Sequence, residues 1–124
     1  MSALAWVAFV TAGAVGAPLR YLIDGVVRRR TEGAFPWGTL VVNITGSLVL
    51  GLLTGLALYH NFPTTSKVVL GAGFCGAYTT FSTFTFETVR LIEKGALGDA
   101  FRNAVGTLVA CVAAAAAGVA LAAV

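Results

Sequence analysis

The chain has 124 residues, of which 58% are hydrophobic and only 10% charged, and its mean hydropathy is +0.90. A soluble domain carries charge on about a quarter of its residues, so this balance excludes an ordinary water-soluble domain and points to lipid as the solvent. The net charge of +3 does not signal nucleic acid, because the basic residues gather at the ends of apolar stretches, where Lys and Arg anchor membrane proteins.

Uncharged runs cover residues 1–19, 33–66, 68–86 and 103–124, with lengths of 19, 34, 19 and 22. Roughly 20 helical residues cross a hydrocarbon core of about 30 Å, so each run can span a bilayer. The predicted spans are near 3–22, 37–59, 67–91 and 102–123, and together they make an all-α, single four-helix transmembrane domain over residues 1–124. Ala12-Gly13-Ala14 resembles a signal-peptide cleavage site, but no Lys or Arg precedes it, which argues for a retained first span.

The first connection carries Asp24, Arg28-Arg29-Arg30 and Glu32, the arginines reading as a topology anchor. Phe35-Pro36-Trp37-Gly38 opens the second span, with Pro36 suited to a first helical turn and Trp37 to the headgroup boundary. Ser47, Gly51 and Gly55 recur every fourth residue and predict a close packing face. Thr39, Asn43 and Ser47 share another stripe of the same helix, at i, i+4 and i+8. A polar side chain at membrane depth is costly unless paired or wetted, so Asn43 reads either as an interhelical hydrogen bond or as a pore-lining group.

After a turn around His60-Asn61-Phe62-Pro63, where His60 reads as a loop residue without special role, comes the unusual third span. Gly71, Gly73 and Gly76 precede Tyr78-Thr79-Thr80-Phe81-Ser82-Thr83-Phe84, all poor helix formers beside Ala or Leu. The helix is expected to break at Gly76 to Thr79, close to the midpoint of run 68–86 and so to the bilayer centre. Non-helical backbone at that depth must be buried by protein or line a cavity. Its freed carbonyls suit a hard cation such as Na⁺. Phe81 and Phe84, at i and i+3 around Ser82, can offer electropositive ring edges to an anion, or can simply pack. In the fourth span Asn103, Thr107 and Cys111 repeat the i, i+4, i+8 polar stripe. Cys75 and Cys111 lack the neighbours of a metal or redox motif and read as small apolar fillers.

The chain resembles the CrcB/Fluc fluoride channel family. The matching residues are Gly13 to Tyr21, Pro36 to Asn43 with Gly46-Ser47, and Gly73 to Phe84 with Glu87, in order along nearly the whole chain. The resemblance implies a non-enzymatic, passive fluoride exporter in a bacterial cell membrane, an antiparallel dual-topology dimer with two pores and a structural Na⁺ at its centre. It implies that the Gly76 and Thr79 carbonyls hold the Na⁺, that Asn43, Phe81, Ser82, Phe84 and Thr107 line the fluoride path, and that Arg20 stands at an aqueous entrance. Thr39, Ser47, Thr80, Thr83, Glu87, Asn103 and Cys111 follow with weaker support, since Asn103 and Cys111 depart from the family's commoner Tyr and Ser. Fluoride is small and strongly hydrated, so a pore must replace its water with donors such as the Asn43 amide and Ser82 hydroxyl.

Two other functions fit a short apolar chain. A proton-coupled small multidrug-type exporter needs an ionisable residue in the membrane interior, and the first span has none before Arg20. A non-transporting accessory subunit would leave the broken helix without purpose. Charge placement adds one expectation. Seven basic residues (Arg20, Arg28, Arg29, Arg30, Arg90, Lys94, Arg102) flank connections one and three and only Lys67 lies opposite, so both termini are expected outside and the partner is either a second copy or an oppositely oriented homologue.

Overall fold

A computed structural model describes residues 1–124, and every regular element in it is helical. Helix α1 spans Ala3–Arg30 and starts on Ser2, whose hydroxyl accepts from the Ala5 N–H at 3.1 Å. Its last turn carries Arg28, Arg29 and Arg30, favourably placed at the negative end of the helix dipole. The uncharged run predicts a span that ends near residue 22, with Asp24 and Arg28 in a connection. Instead the helix continues, because Asp24 and Arg28 are one turn apart and pair at 2.8 Å.

Helix α2, Trp37–Tyr59, has the bounds the sequence predicts, and Pro36 stands just before its first residue. It ends where Asn61 adopts a left-handed φ of 53°, a conformation that Asn tolerates better than most residues. His60 is not a plain loop residue, since its Nε2 meets the Ala122 carbonyl at 2.6 Å and ties this end to the chain's last helix.

The stretch 64–93 is not one helix. It runs as α3 (Thr64–Val68), a π-helical segment (Val69–Cys75), α4 (Gly76–Tyr78), then non-helical backbone at residues 79–81, then α5 (Ser82–Glu93). The break therefore begins at Thr79 and not at Gly76. Gly76 keeps helical dihedrals (φ −62°, ψ −37°), while Thr79 turns extended with ψ 163°. The glycines upstream serve contact instead: a Cβ on Gly16 of α1 would lie 2.6 Å from the Phe74 carbonyl, so α1 can press on this segment only without one. Helix α5 closes with Gly95 at φ 79°, the Gly95 N–H on the Ile92 carbonyl and the Ala96 N–H on the Leu91 carbonyl. That is a Schellman motif, which needs a residue tolerant of left-handed φ.

The chain then runs helically from Leu97 to Ala122 as α6 (Leu97–Phe101), a π-helical segment (Arg102–Gly106) and α7 (Thr107–Ala122). Helix α2 packs most extensively on α7. A Cβ on Gly118 would fall on the Leu48 carbonyl oxygen and 2.7 Å from Leu52 N, and one on Gly55 would meet Val119 and Ala122. The small-residue face predicted for the second span is thus the α2–α7 interface. Three helices are long and apolar enough to cross a membrane: α1, α2 and Leu97–Ala122. Only 21 of 124 residues are buried, and large apolar side chains such as Leu4, Trp6, Val10, Leu108 and Val112 point outward, the inverse of a water-soluble fold.

Candidate functional site

The site is organised by two diverted backbone amides. In an unbroken helix the Thr80 N–H would bond the Gly76 carbonyl and the Thr83 N–H the Thr79 carbonyl. Here Asn43 of α2 grips Thr80 from both sides: its Oδ1 accepts from the Thr80 N–H at 2.9 Å and its Nδ2 donates to the Thr80 carbonyl at 2.9 Å. The Thr80 hydroxyl oxygen accepts from the Thr83 N–H at 3.1 Å, capping the start of α5. Both amides are satisfied elsewhere, and the carbonyls of Gly76 and Thr79 are released. No group of three or more His, Cys, Asp or Glu side chains is placed to hold a metal ion, so a cation at this point would depend on backbone oxygens such as these.

A cavity of about 810 Å³ opens beside the break. Its wall includes Asn43 and Ser47 from α2, Gly76 and Thr79 to Phe81 from the break, Phe84 from α5, and Thr107 and Cys111 from α7. Phe81 and Phe84 stand with ring centroids 5.9 Å apart and planes tilted by 42°. Phe81 is 76% exposed, far more than a packing aromatic in a finished core. Behind the break, Tyr78 is buried and its hydroxyl pairs with Thr45 of α2 at 2.8 Å, a second polar tie that fixes the end of α4.

On the other side of Thr80 lies a smaller cavity of about 210 Å³, lined by Arg20, Tyr21, Asp24, Thr39 and Thr83. Thr80 borders both spaces. Arg20 has no ion-pair partner, whereas Asp24, one turn further along α1, is held by Arg28. Glu87 of α5 accepts from the Thr39 hydroxyl and from Arg28 Nη2, at 2.5 and 2.6 Å. The Arg20 cavity thus has an unpaired cation at its wall, while Asp24 and Glu87 share the single cation of Arg28.

The model of the family described as CrcB-like protein, Camphor Resistance (CrcB), matches residues 7–119. The chain belongs to the CrcB family. A relative from Streptomyces avermitilis, named fluoride-specific ion channel FluC 1, is 48% identical over 114 residues, 92% of each chain. One of the same name from Frankia casuarinae is 47% identical over 122 residues, 94% of this chain and 95% of the relative. The Mycobacterium tuberculosis protein named fluoride-specific ion channel FluC 2 is 46% identical over 110 residues, covering 89% of this chain and 84% of that one. With its three membrane-length helices, this CrcB member is a multi-pass protein of the cell membrane.

The structure gathers most of the residues the sequence singled out. Asn43, Ser47, Gly76, Thr79, Thr80, Phe81, Phe84, Thr107 and Cys111 share the large cavity. Arg20, Thr39 and Thr83 share the small one, and Glu87 joins through its bond to Thr39. Two residues fall outside. Ser82 is exposed next to Phe81, with its hydroxyl 3.5 Å from that of Thr80. Asn103 is 1% exposed and committed to a helix tie, donating to Thr88 and accepting from Thr107. Of the two readings open for Asn43, the interhelical one holds, yet one Nδ2 proton remains for another acceptor.

Arg28 and Asp24, expected in a connection, with Arg28 as part of a topology anchor, stand at the site instead. Their i, i+4 spacing was visible, but the partner that gives it meaning, Glu87, lies 59 residues away from Arg28 in the chain.

Proposed function

We propose that this protein is a subunit of a fluoride-specific channel that conducts passively and so lowers internal fluoride. The observation that carries the proposal is the cavity beside the break, which Phe81, Phe84, Thr107 and Asn43 line together in a chain whose relatives are named for fluoride conduction. In this reading residues 64–93 form a fourth crossing in two halves, and two copies, or one copy and an oppositely oriented homologue, pair antiparallel across the open cavity. The ring edges of Phe81 and Phe84 and the remaining Asn43 proton meet the anion in place of water, with the Ser82 hydroxyl as a further donor and Thr107 one once its hydroxyl turns from Asn103. Arg20 raises the local anion concentration at the mouth.

The released carbonyls of Gly76 and Thr79 fit a hard monovalent cation, and Na⁺ is the proposed resident. Bound there, it supplies a fixed positive charge that lowers the barrier for a passing anion. Asn43 and Thr80 do the positioning, since their hydrogen bonds keep the two carbonyls out of helical pairing. A proton-coupled exporter is less well supported, because Glu87, the one carboxylate near the route with a helix-to-helix role, is already matched by Arg28 and Thr39.

The test is fluoride efflux from liposomes that contain the purified chain, with Na⁺ varied against N-methylglucamine. Passive efflux that falls when Phe81 or Asn43 is replaced is the expected result. No passive flux, or flux only down a proton gradient, overturns the proposal.

A further inference from the structure

Of the chain's five carboxylates, Asp24 lines the Arg20 cavity and Glu87 bonds Thr39 of its wall, an awkward place for negative charge if an anion is to pass. Both are held by one cation. Arg28 Nε bonds Asp24 Oδ1 at 2.8 Å and Arg28 Nη2 bonds Glu87 Oε2 at 2.6 Å. The Glu87 side chain is 13% exposed and that of Asp24 26%, whereas Arg28 reaches out to 51%. Arg28, Glu87 and Thr83 also line a third cavity of about 490 Å³, which contains Arg90 and Lys94 and opens at the basic end of the molecule. Thr83 borders this outer cavity and the Arg20 cavity alike. Thr83 thus stands between the outer cavity and the Arg20 cavity, and Thr80 between the Arg20 cavity and the large one.

The spacing along α1 sharpens the point. Asp24 lies four residues from Arg20 and four from Arg28, so either arginine is within reach of it on the helix surface. In the structure Arg28 has it and Arg20 has no partner. We infer that Arg28 is a positioning residue for anion access: by holding Asp24 and Glu87 it keeps Arg20 free and the mouth electropositive. Without Arg28, Asp24 turns back to Arg20 and the one unpaired cation of the inner cavity is quenched.

The inference rests on the fluoride-channel reading, and a charge series tests it separately. The formal charge of the trio Asp24, Glu87 and Arg28 is −1 in the native chain, −2 in Arg28→Gln, −1 in Arg28→Gln with Asp24→Asn, and 0 in Asp24→Asn. Single-channel fluoride current is measured in planar bilayers at sub-saturating fluoride and low ionic strength. One unit charge at this range changes an anion's local concentration by about threefold to tenfold. Arg28→Gln is expected to lower the current by that factor, the double variant to return it to within about twofold of native, and Asp24→Asn to raise it. At about 1 M salt, where screening acts within roughly 3 Å, the differences shrink.

If Arg28 only ties α1 to α5, the double variant conducts no better than Arg28→Gln and Asp24→Asn is slowed as well; either result overturns the inference. Should Arg28→Gln fail to fold, Asp24→Asn still decides, because a lowered current contradicts it. A native chain that carries no fluoride current refutes the channel reading itself, a distinct outcome.

Discussion

Replacing Asn43 tests the account of the break most directly. Asn43→Ala removes two hydrogen bonds of 2.9 Å and strands the Thr80 N–H and carbonyl next to a residue only 8% exposed. Each hydrogen bond contributes about 0.5–1.5 kcal/mol net in proteins and about 0.6 kcal/mol on average between membrane helices, with a further cost when a partner is left unpaired. A loss of about 2–3 kcal/mol follows, which corresponds to roughly 30- to 150-fold in the local opening equilibrium. Deuterium exchange at the Thr80 amide in detergent micelles reads that factor. Where the Thr80 N–H instead re-pairs with the Gly76 carbonyl, the stability loss is smaller but that oxygen is withdrawn, so the Na⁺ concentration for half-maximal fluoride flux is expected to rise about tenfold. Thr80→Val acts at the other carbonyl, since it releases the Thr83 N–H towards Thr79, and raises the Na⁺ requirement; Thr80→Ser keeps the oxygen and leaves it unchanged. An unaltered Na⁺ requirement in both Asn43→Ala and Thr80→Val, with Thr80 exchange still slow, refutes the reasoning.

Three further outcomes are expected. Gly118→Ala places a Cβ against the Leu48 and Leu52 backbone and costs about 2 kcal/mol, whereas Gly106→Ala meets nothing within 4 Å and stays within about 1 kcal/mol of native; thermal unfolding in detergent compares them, and equal stability removes the α2–α7 packing argument. Phe81→Ile keeps an apolar side chain but loses the ring edge, so fluoride flux should fall by at least tenfold while thermal stability holds, because a residue 76% exposed contributes little to this chain's own packing. A cysteine at position 2, labelled from one side of intact cells, should react in a single orientation, given seven basic residues against one; labelling from both sides shows that the chain inserts both ways and needs no homologue of opposite bias.

What the sequence made legible were the features encoded by local chemistry. The bounds of α2 follow from Pro36 and from the turn at Asn61, and its packing face from Ser47, Gly51 and Gly55. The stripe of Thr39 and Asn43 is an i, i+4 repeat, and both side chains do reach across to the break or to Glu87. What stayed hidden were features set by residues distant in sequence. The role of Arg28 depends on Glu87, 59 residues away, and the commitment of Asn103 depends on Thr88. The start of the break was misplaced for the same reason. Helix propensity assigns the fault to glycine, but a glycine packed under a neighbouring helix gains more from close approach than it loses in propensity, as Gly73 against Phe9 illustrates.

The position of the break then has a definite cause. A helix in a membrane releases carbonyls only where something else compensates the amides that would have bonded them, because an unpaired backbone group in hydrocarbon costs several kcal/mol. Here the two compensating acceptors are both oxygens of polar side chains, Asn43 Oδ1 from α2 and Thr80 Oγ1 from the break itself. They satisfy the amides of residues 80 and 83, and the carbonyls four residues earlier, at 76 and 79, are among those the break leaves without helical partners. Moving Asn43 by one residue along α2 would turn its amide about 100° away from the break. Gly46, where a Cβ would meet Thr79 and Tyr78, sets the register of α2 against the third span, and that register decides which amide of the break Asn43 reaches.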